Sequence, residues 1–447
     1  MWTATPTYSI RLILNSALWL TAAGIVVRGC GAVREISFAA AFGVSRETDL
    51  FLLAATYATF VPSVLAGALG AALVAQLVRL RIGGTFPRGP ALLALAQGIC
   101  ISGVVAALAT FLLAPVLVRL VFGLHGADLA EAVKFSRILA PLGVTMVIAA
   151  SMDALLNSAK QFFIPGVTSA ATPIASIAAI LLFGRHWGVD AAAWGMVAGG
   201  LFEVAILALT IKRQNQVLFG NHGASGELVN LAAFWRAVSF LLLSGAVAAV
   251  SPLIDQVFLA KLEVGAITTF NYASKVNSLL IGLFGTAFAV AIYPYLTDLA
   301  AQRDMRGLKH LSWRIVALIV PVTVLASMLV FIFSQDIVQL LFARGNFTDK
   351  DTELVASIQR VFAFQLVFYV AGLVAMRVLN ALQTADFVLW ISCLGVLLNA
   401  TLDWFLYARM GAAGIALSSV LTSIGSLAFA LLFIQAASRR AQHGSLQ

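Results

Sequence analysis

Two constellations of side chains in this sequence carry chemistry, and the first is cationic. Arg28 and Arg34 lie inside the apolar run from Ile10 to Phe42, in the stretch Arg28-Gly29-Cys30-Gly31-Ala32-Val33-Arg34-Glu35. A charge at bilayer depth is costly, so such residues are expected to face a cavity or a partner and to work there. On an unbroken helix the two arginines, six residues apart, point about 120° away from each other. A break at Gly29 or Gly31 would turn both toward one anionic group. Glu35, one heptad after Arg28, offers an alternative: an interior ion pair that only fixes helix packing. Lys275, in Asn271-Tyr272-Ala273-Ser274-Lys275, is a third cation in an apolar run; it either joins the arginines around one anion or pairs with Asp255.

The second constellation is made of oxygens. Asn399 and Asp403, at i and i+4, lie on one face of a helix. With the carboxylate of Asp255, the backbone carbonyl of Ile415 and the hydroxyl of Ser419 one turn later, they would suit a hard monovalent cation. The alternative is a network of interhelical hydrogen bonds, each worth about 0.6 kcal/mol in a membrane, with one of the two aspartates carrying a proton. Asp153 and Glu203 also fall in apolar runs and are assigned no role.

Other chemistry is excluded by what surrounds these groups. Cys30, Cys100 and Cys393 all fall in apolar runs, so neither a disulfide framework nor a zinc spacing is available. His125, His186, His222, His310 and His443 fall in predicted loops or the tail, and the chain contains neither a nucleotide-binding glycine-rich motif nor paired carboxylates suited to hydrolysis. An enzyme and an ATP-driven pump are not expected.

The elements that must hold these residues are membrane spans. Hydrophobic residues make up 61% of the chain and charged residues 11%, against about 25% charged in a soluble domain. Runs of about 20 or more apolar residues give twelve spans, at 10–42, 50–78, 91–118, 138–157, 165–184, 191–211, 237–260, 264–296, 315–333, 354–376, 386–407 and 412–435. The fold class is therefore all-α and polytopic. The net charge of +9 is distributed with Lys and Arg mainly on one set of loops and acids on the other. That asymmetry places both termini in the cytoplasm and removes any need for a nucleic-acid partner. The first span is too long and too charged for a cleavable signal, so it is expected to be retained.

The polar stretch from Arg213 to Asn230 divides the chain into a six-helix half at 1–213, a linker at 214–230 and a second six-helix half at 231–447. Fragments recur between the halves at a spacing of about 220 residues: Leu120-Val121-Phe122-Gly123 as Leu340-Leu341-Phe342-Ala343, Leu156-Asn157 as Leu379-Asn380, and Ala193-Trp194-Gly195 as Ala412-Ala413-Gly414. Repeats of six helices share one orientation and are related by an axis along the membrane normal, an arrangement of transporters with a central site.

Over almost its whole length the chain resembles the lipid II flippase family, MurJ or MviN, of the multidrug/oligosaccharidyl-lipid/polysaccharide exporter superfamily. The resemblance is carried by Arg28 with Arg34-Glu35, Phe42-Gly43 followed by Thr48-Asp49, Leu155-Leu156-Asn157 followed by Phe163-Ile164-Pro165, Trp194-Gly195 through Gly199-Gly200, Tyr272-Ala273-Ser274-Lys275, and Phe342-Ala343-Arg344-Gly345-Asn346-Phe347-Thr348. It implies two six-helix bundles, a cationic cavity for the diphosphate of an undecaprenyl-linked glycan, and alternating access in the bacterial inner membrane.

By this resemblance Arg28, Arg34, Asp49 and Lys275 contact substrate, with Asp49 as an outer gate or orienting partner. Asp255, Asn399, Asp403, Ile415 and Ser419 resemble the family's sodium site, with Na+ as coupling ion. Membrane lipid is the other partner, and the chain is expected to act as a monomer. The sequence departs from the family in having lysine at 275, no cation between Asp49 and Arg79, and twelve spans where fourteen are typical. Within the same superfamily the rivals are an exopolysaccharide or O-antigen repeat-unit flippase and a drug/cation antiporter; outside it, a membrane polysaccharide enzyme.

Overall fold

The computed structural model describes residues 10–82, 90–159, 161, 163–214, 231–282, 292, 295–300, 302, 304–382 and 384–443, with the backbone alone described for 10–23, 25, 78–82, 90–93, 244, 248, 385 and 437–443. Among the described residues all regular structure is helical. In hydrocarbon every backbone amide must be satisfied within its own segment, so long apolar runs leave no alternative but the helix. Pro62, Pro115, Pro252 and Pro321 sit inside such helices, as membrane helices tolerate.

The chain divides into two compact units. The first comprises Met1–Phe38, Ala54–Val118 and Gly126–Gly245. It contains most of α1 (Ile10–Phe42), α2 (Arg46–Ile82) and α3 (Pro90–Phe122), then α4 (Gly126–Leu139), α5 (Leu142–Ser158), α6 (Phe163–Thr168), α7 (Ala171–Trp187) and α8 (Asp190–Arg213), and the start of α9 (Leu231–Leu259). Its core joins Leu65, Leu69 and Leu73 of α2 to Ile99, Val147, Phe234 and Val238. The helices α7 and α8 approach closely because Gly195 carries no side chain: a Cβ there would stand 2.6 Å from Ser176 Cα and 3.1 Å from the Ala175 carbonyl oxygen.

The second unit comprises Ala39–Leu53, Arg119–His125 and Ala246–Gln447. Its helices are α10 (Ala266–Ile281), α11 (Met305–Ile332), α12 (Ser334–Phe342), α13 (Asp349–Ala363), α14 (Gln365–Ala381) and α15 (Ala385–His443). Leu379, Phe387, Ile391 and Ala430 form one of its cores, with the Phe387 and Phe433 rings stacked at 4.8 Å. Thr348 opens α13 with a capping box: its backbone amide donates to Asp351 Oδ2 at 2.8 Å, and the Asp351 amide donates to Thr348 Oγ1 at 3.2 Å.

Nine stretches among the described residues are long and apolar enough to cross a membrane. The fourth expected span lies within a longer run, Gly126–Ser158, and the last two form a single run, Asp386–Ala436. That run is bent at Gly411, whose φ of 58° and ψ of −139° suit only glycine, so the two spans are separate on either side of it. The eighth expected span is described from α10 to Ile281, and residues 283–291, 293 and 294 lie outside the described set. The linker expected at 214–230 lies outside it from residue 215 onward.

Candidate anion and cation sites

Of the two courses open to α1, the unbroken one is found: the helix runs without interruption from Ile10 to Phe42 through both glycines. Glycine lowers helix propensity, but in a membrane an opened turn would strand amides that nothing else satisfies. Arg28 and Arg34 therefore stay about 120° apart and about 9 Å apart along the axis. Glu35 is buried and accepts from Arg34 Nη2. Arg28 is exposed. Around it α1 borders open space, since a Cβ added at Gly24, Gly29 or Gly31 meets nothing within 4 Å among the described residues. Gly24, Arg28, Gly31 and Glu35 recur at the spacing of one helix face.

In the second unit, the corner between α1 and α2 is held by several of the motif residues. Asp49 is 1% exposed. Its Oδ2 accepts from the Gly265 amide at 2.6 Å, and its Oδ1 accepts from the Thr268 amide at 2.8 Å and from Thr268 Oγ1 at 2.6 Å. It thus caps the N-terminus of α10 from another helix, where a carboxylate also meets the positive end of the helix dipole. Thr48 Oγ1 lies 3.0 Å from Thr268 Oγ1. From the other side, Asn346 donates its amide to the Ala40 carbonyl at 2.9 Å and Nδ2 to the Ala41 carbonyl at 2.6 Å. Tyr272, buried, packs its ring tilted against Phe342 at 5.0 Å and edge-on against Phe347 at 5.8 Å. Three residues further along α10, Lys275 is exposed.

The oxygen-rich constellation also lies in the second unit. Asn399 Nδ2 donates to Asp255 Oδ1 at 3.1 Å, and Asp255 and Asp403 are neighbours. Asn399 and Asp403 are 2% and 0% exposed. Asn399 Oδ1 and both carboxylate oxygens of Asp403 make no hydrogen bond of good geometry among the described residues, the polar side chains that neighbour Asp403 being Asp255 and Ser418. Buried polar atoms in this condition call for a ligand or a proton. The donor set is all oxygen, as a hard cation requires; among the described residues no cluster of three His, Cys, Asp or Glu side chains suggests a softer metal.

Ser419 Oγ donates to the Ile415 carbonyl at 3.3 Å, so those two groups engage each other. Ser418, which sequence reasoning did not single out, is the serine that faces Asn399: its Oγ donates to the Asn399 carbonyl at 3.3 Å and lies 3.5 Å from Asn399 Nδ2. Serines at 418 and 419 are adjacent in sequence but about 100° apart around the helix, and only the crossing of the two helices decides which one meets Asn399.

Long apolar helices that enclose buried polar side chains define a multi-pass membrane protein. Within that class, the sequence model of the family described as lipid II flippase MurJ matches residues 38–445, and the chain belongs to that family. It is 24% identical over 327 residues to a probable lipid II flippase MurJ of Rhizobium tropici, covering 68% of this chain and 58% of the relative; the match spans little more than half that protein's length. It is 26% identical over 411 residues to a probable lipid II flippase MurJ of Thermotoga maritima, covering 90% of this chain and 81% of the relative. Among solved structures it resembles the lipid II flippase MurJ in an inward closed conformation, with a TM-score of 0.79 at 19% identity over 95% of this chain and 91% of that one. At that identity the likeness is one of fold.

Proposed function

We propose that this protein carries an undecaprenyl-diphosphate-linked glycan, lipid II in the first instance, from the inner to the outer leaflet of the bacterial inner membrane by alternating access. The observation that carries the reading is Arg28, exposed on the long helix α1 where that helix borders open space, in a chain of the lipid II flippase family. The lipid tail stays in the bilayer while the polar head crosses, because a diphosphate in hydrocarbon without partners is prohibitive. Arg28 offers its guanidinium group to the diphosphate oxygens, and Arg34, held by Glu35 on another face of α1, would meet a different part of the polar head. Lys275 is a further phosphate contact of the same charge without the bidentate fork. Asp49 acts as an outer latch through the cap it gives α10. The chain works as a monomer with both termini in the cytoplasm, and its partners are the lipid-linked glycan and membrane lipid.

The cation in this reading is sodium. Asp255, Asn399 and Asp403 would hold it, with the Ile415 carbonyl and the Ser419 hydroxyl beside them. When bound it supplies a positive charge against two neighbouring carboxylates, and a charge crossing the membrane potential carries about 2.3 kcal/mol per 100 mV.

The experiment is complementation. Expressed in a bacterium depleted of its own lipid II flippase, the chain is expected to restore growth and outer-leaflet lipid II, and Arg28→Ala is expected to lower the flipping rate about tenfold or more. Failure of the unmutated chain, despite normal amounts in the membrane, would remove lipid II as the substrate. Flux that ignores both sodium removal and Asp403→Ala would remove the coupling.

A further inference from the structure

A bridge of amide and hydroxyl groups joins α10 to α15, and the function above does not use it. Asn277 on α10 is 3% exposed and donates through Nδ2 to Gln365 Oε1 at 2.7 Å. Gln365 opens α14 directly after a tightened turn, in which the Phe364 amide reaches the Val361 carbonyl at 3.2 Å. Its Nε2 donates toward α15, 3.3 Å from Ser423 Oγ and 3.4 Å from the Ser419 carbonyl oxygen. Ser423 Oγ gives its own proton to that same Ser419 carbonyl at 2.8 Å, so toward Gln365 it can only accept. With Oε1 committed to Asn277, the Gln365 amide has one orientation that satisfies every group.

The bridge ends on the turn that carries two of the candidate cation ligands. The Ser419 carbonyl belongs to the residue whose hydroxyl reaches Ile415. Side-chain donors on a helix carbonyl tilt the turn that carries it. Asn277 has no second bond to explain its burial: its Oδ1 has no hydrogen-bond partner among the described residues, so what holds the side chain inside the unit is the bond to Gln365.

We propose that Gln365 is a positioning residue for the cation site, setting where the Ile415–Ser419 turn stands and tying that turn to the helix that bears Lys275. The proposal rests on the cation reading of Asp255, Asn399 and Asp403. It makes ion affinity and ion selectivity depend on a residue that need not touch the ion, since selectivity follows from how rigidly the coordinating oxygens are held.

The test is equilibrium binding of radioactive sodium to the purified full-length chain in detergent, with potassium as competitor. Four proteins are compared: the unmutated chain, Asp403→Ala, Gln365→Leu and Asn277→Ala. The expected result is saturable sodium binding that Asp403→Ala abolishes, that Gln365→Leu weakens about three- to tenfold, and that Asn277→Ala weakens less. The ratio of sodium to potassium affinity should fall in Gln365→Leu.

Absence of sodium binding to the unmutated chain, or binding that Asp403→Ala leaves intact, overturns the cation reading and the proposal with it. Binding that Asp403→Ala abolishes but Gln365→Leu leaves at the original affinity and selectivity overturns the positioning role alone. A lowered thermal midpoint with an unchanged sodium-to-potassium ratio overturns it too. If Gln365→Leu gives no folded protein, Asn277→Ala decides on the same criteria.

Discussion

Two helix pairs, one in each unit, turn the same corner and differ in what lies behind it. Gly188, between α7 and α8, has φ 57° and ψ −141°; Gly411, within α15, has φ 58° and ψ −139°. With these two glycines aligned, Gly195 corresponds to Ser418, Ser176 to Asn399 and Ile180 to Asp403. In the first unit Gly195 lies on the backbone of Ser176, and Ile180 is buried. In the second, Ser418 is hydrogen-bonded to Asn399 and Asp403 is buried without a hydrogen bond of good geometry. One backbone turn thus supports two opposite solutions. The first unit gains closeness by having no side chain at the crossing, as small-residue contacts in membranes do. The second fills the crossing with polar groups and leaves oxygens to be satisfied by something else.

Exchanging residues between the two pairs tests this contrast. Gly195→Ser should have the largest effect, because its Cβ would meet a main chain that cannot swing away; a loss of about 3 kcal/mol is expected, read as a fall in thermal midpoint in detergent. An unchanged midpoint would break the steric half of the comparison. Gly188→Ala and Gly411→Ala should each cost about 2 kcal/mol, and by nearly the same amount, because the two backbones match. A several-fold mismatch between them would mean that the corners are not equivalent.

The sign should reverse in the polar layer. Asp403→Asn is expected to raise the midpoint in sodium-free buffer by about 1 kcal/mol, since it removes a buried carboxylate that makes no hydrogen bond of good geometry. Sodium should then stabilise the unmutated protein and leave the variant unmoved. Ser418→Ala, which removes one membrane hydrogen bond, should cost only about 0.6 kcal/mol.

How much of this was legible in the sequence follows from which forces are local. The spans were legible because a bilayer imposes a length on apolar runs, and the two spans flanking Gly411 were separable because a polar interruption and a glycine coincide there. That Asn399 and Asp255 meet was legible as a shortage of reasons for such groups to be buried alone, and they lie in hydrogen-bond contact. The unbroken course of α1 was not legible, because two glycines weaken a helix in water while the bilayer holds it together. Ser418 was passed over for Ser419, since the phase of one helix against its neighbour is a tertiary fact. The sequence shows Asp49 as a motif acid at the start of α2, while its three donors, including the amides of Gly265 and Thr268, come from more than 200 residues away along the chain. Gln365 was missed for a similar reason: an amide at a helix start looks like any other until its partners on two further helices are known.

The hydroxyl contact between Thr48 and Thr268 joins residues 220 positions apart, and α2 and α10 begin at Arg46 and Ala266, the same distance apart. Were the two α-helices copies of one another related by a twofold axis, a residue on that axis would touch its own copy. At the moment of duplication both copies would be identical, so the residue there would have to be its own complement. A carboxylate would repel itself and an ammonium likewise, whereas a hydroxyl both gives and takes a proton and so satisfies a twin. Threonine at this position is compatible with such an ancestor without any compensating change, and divergence at neighbouring sites such as Asp49 could follow later without the seam ever having been broken.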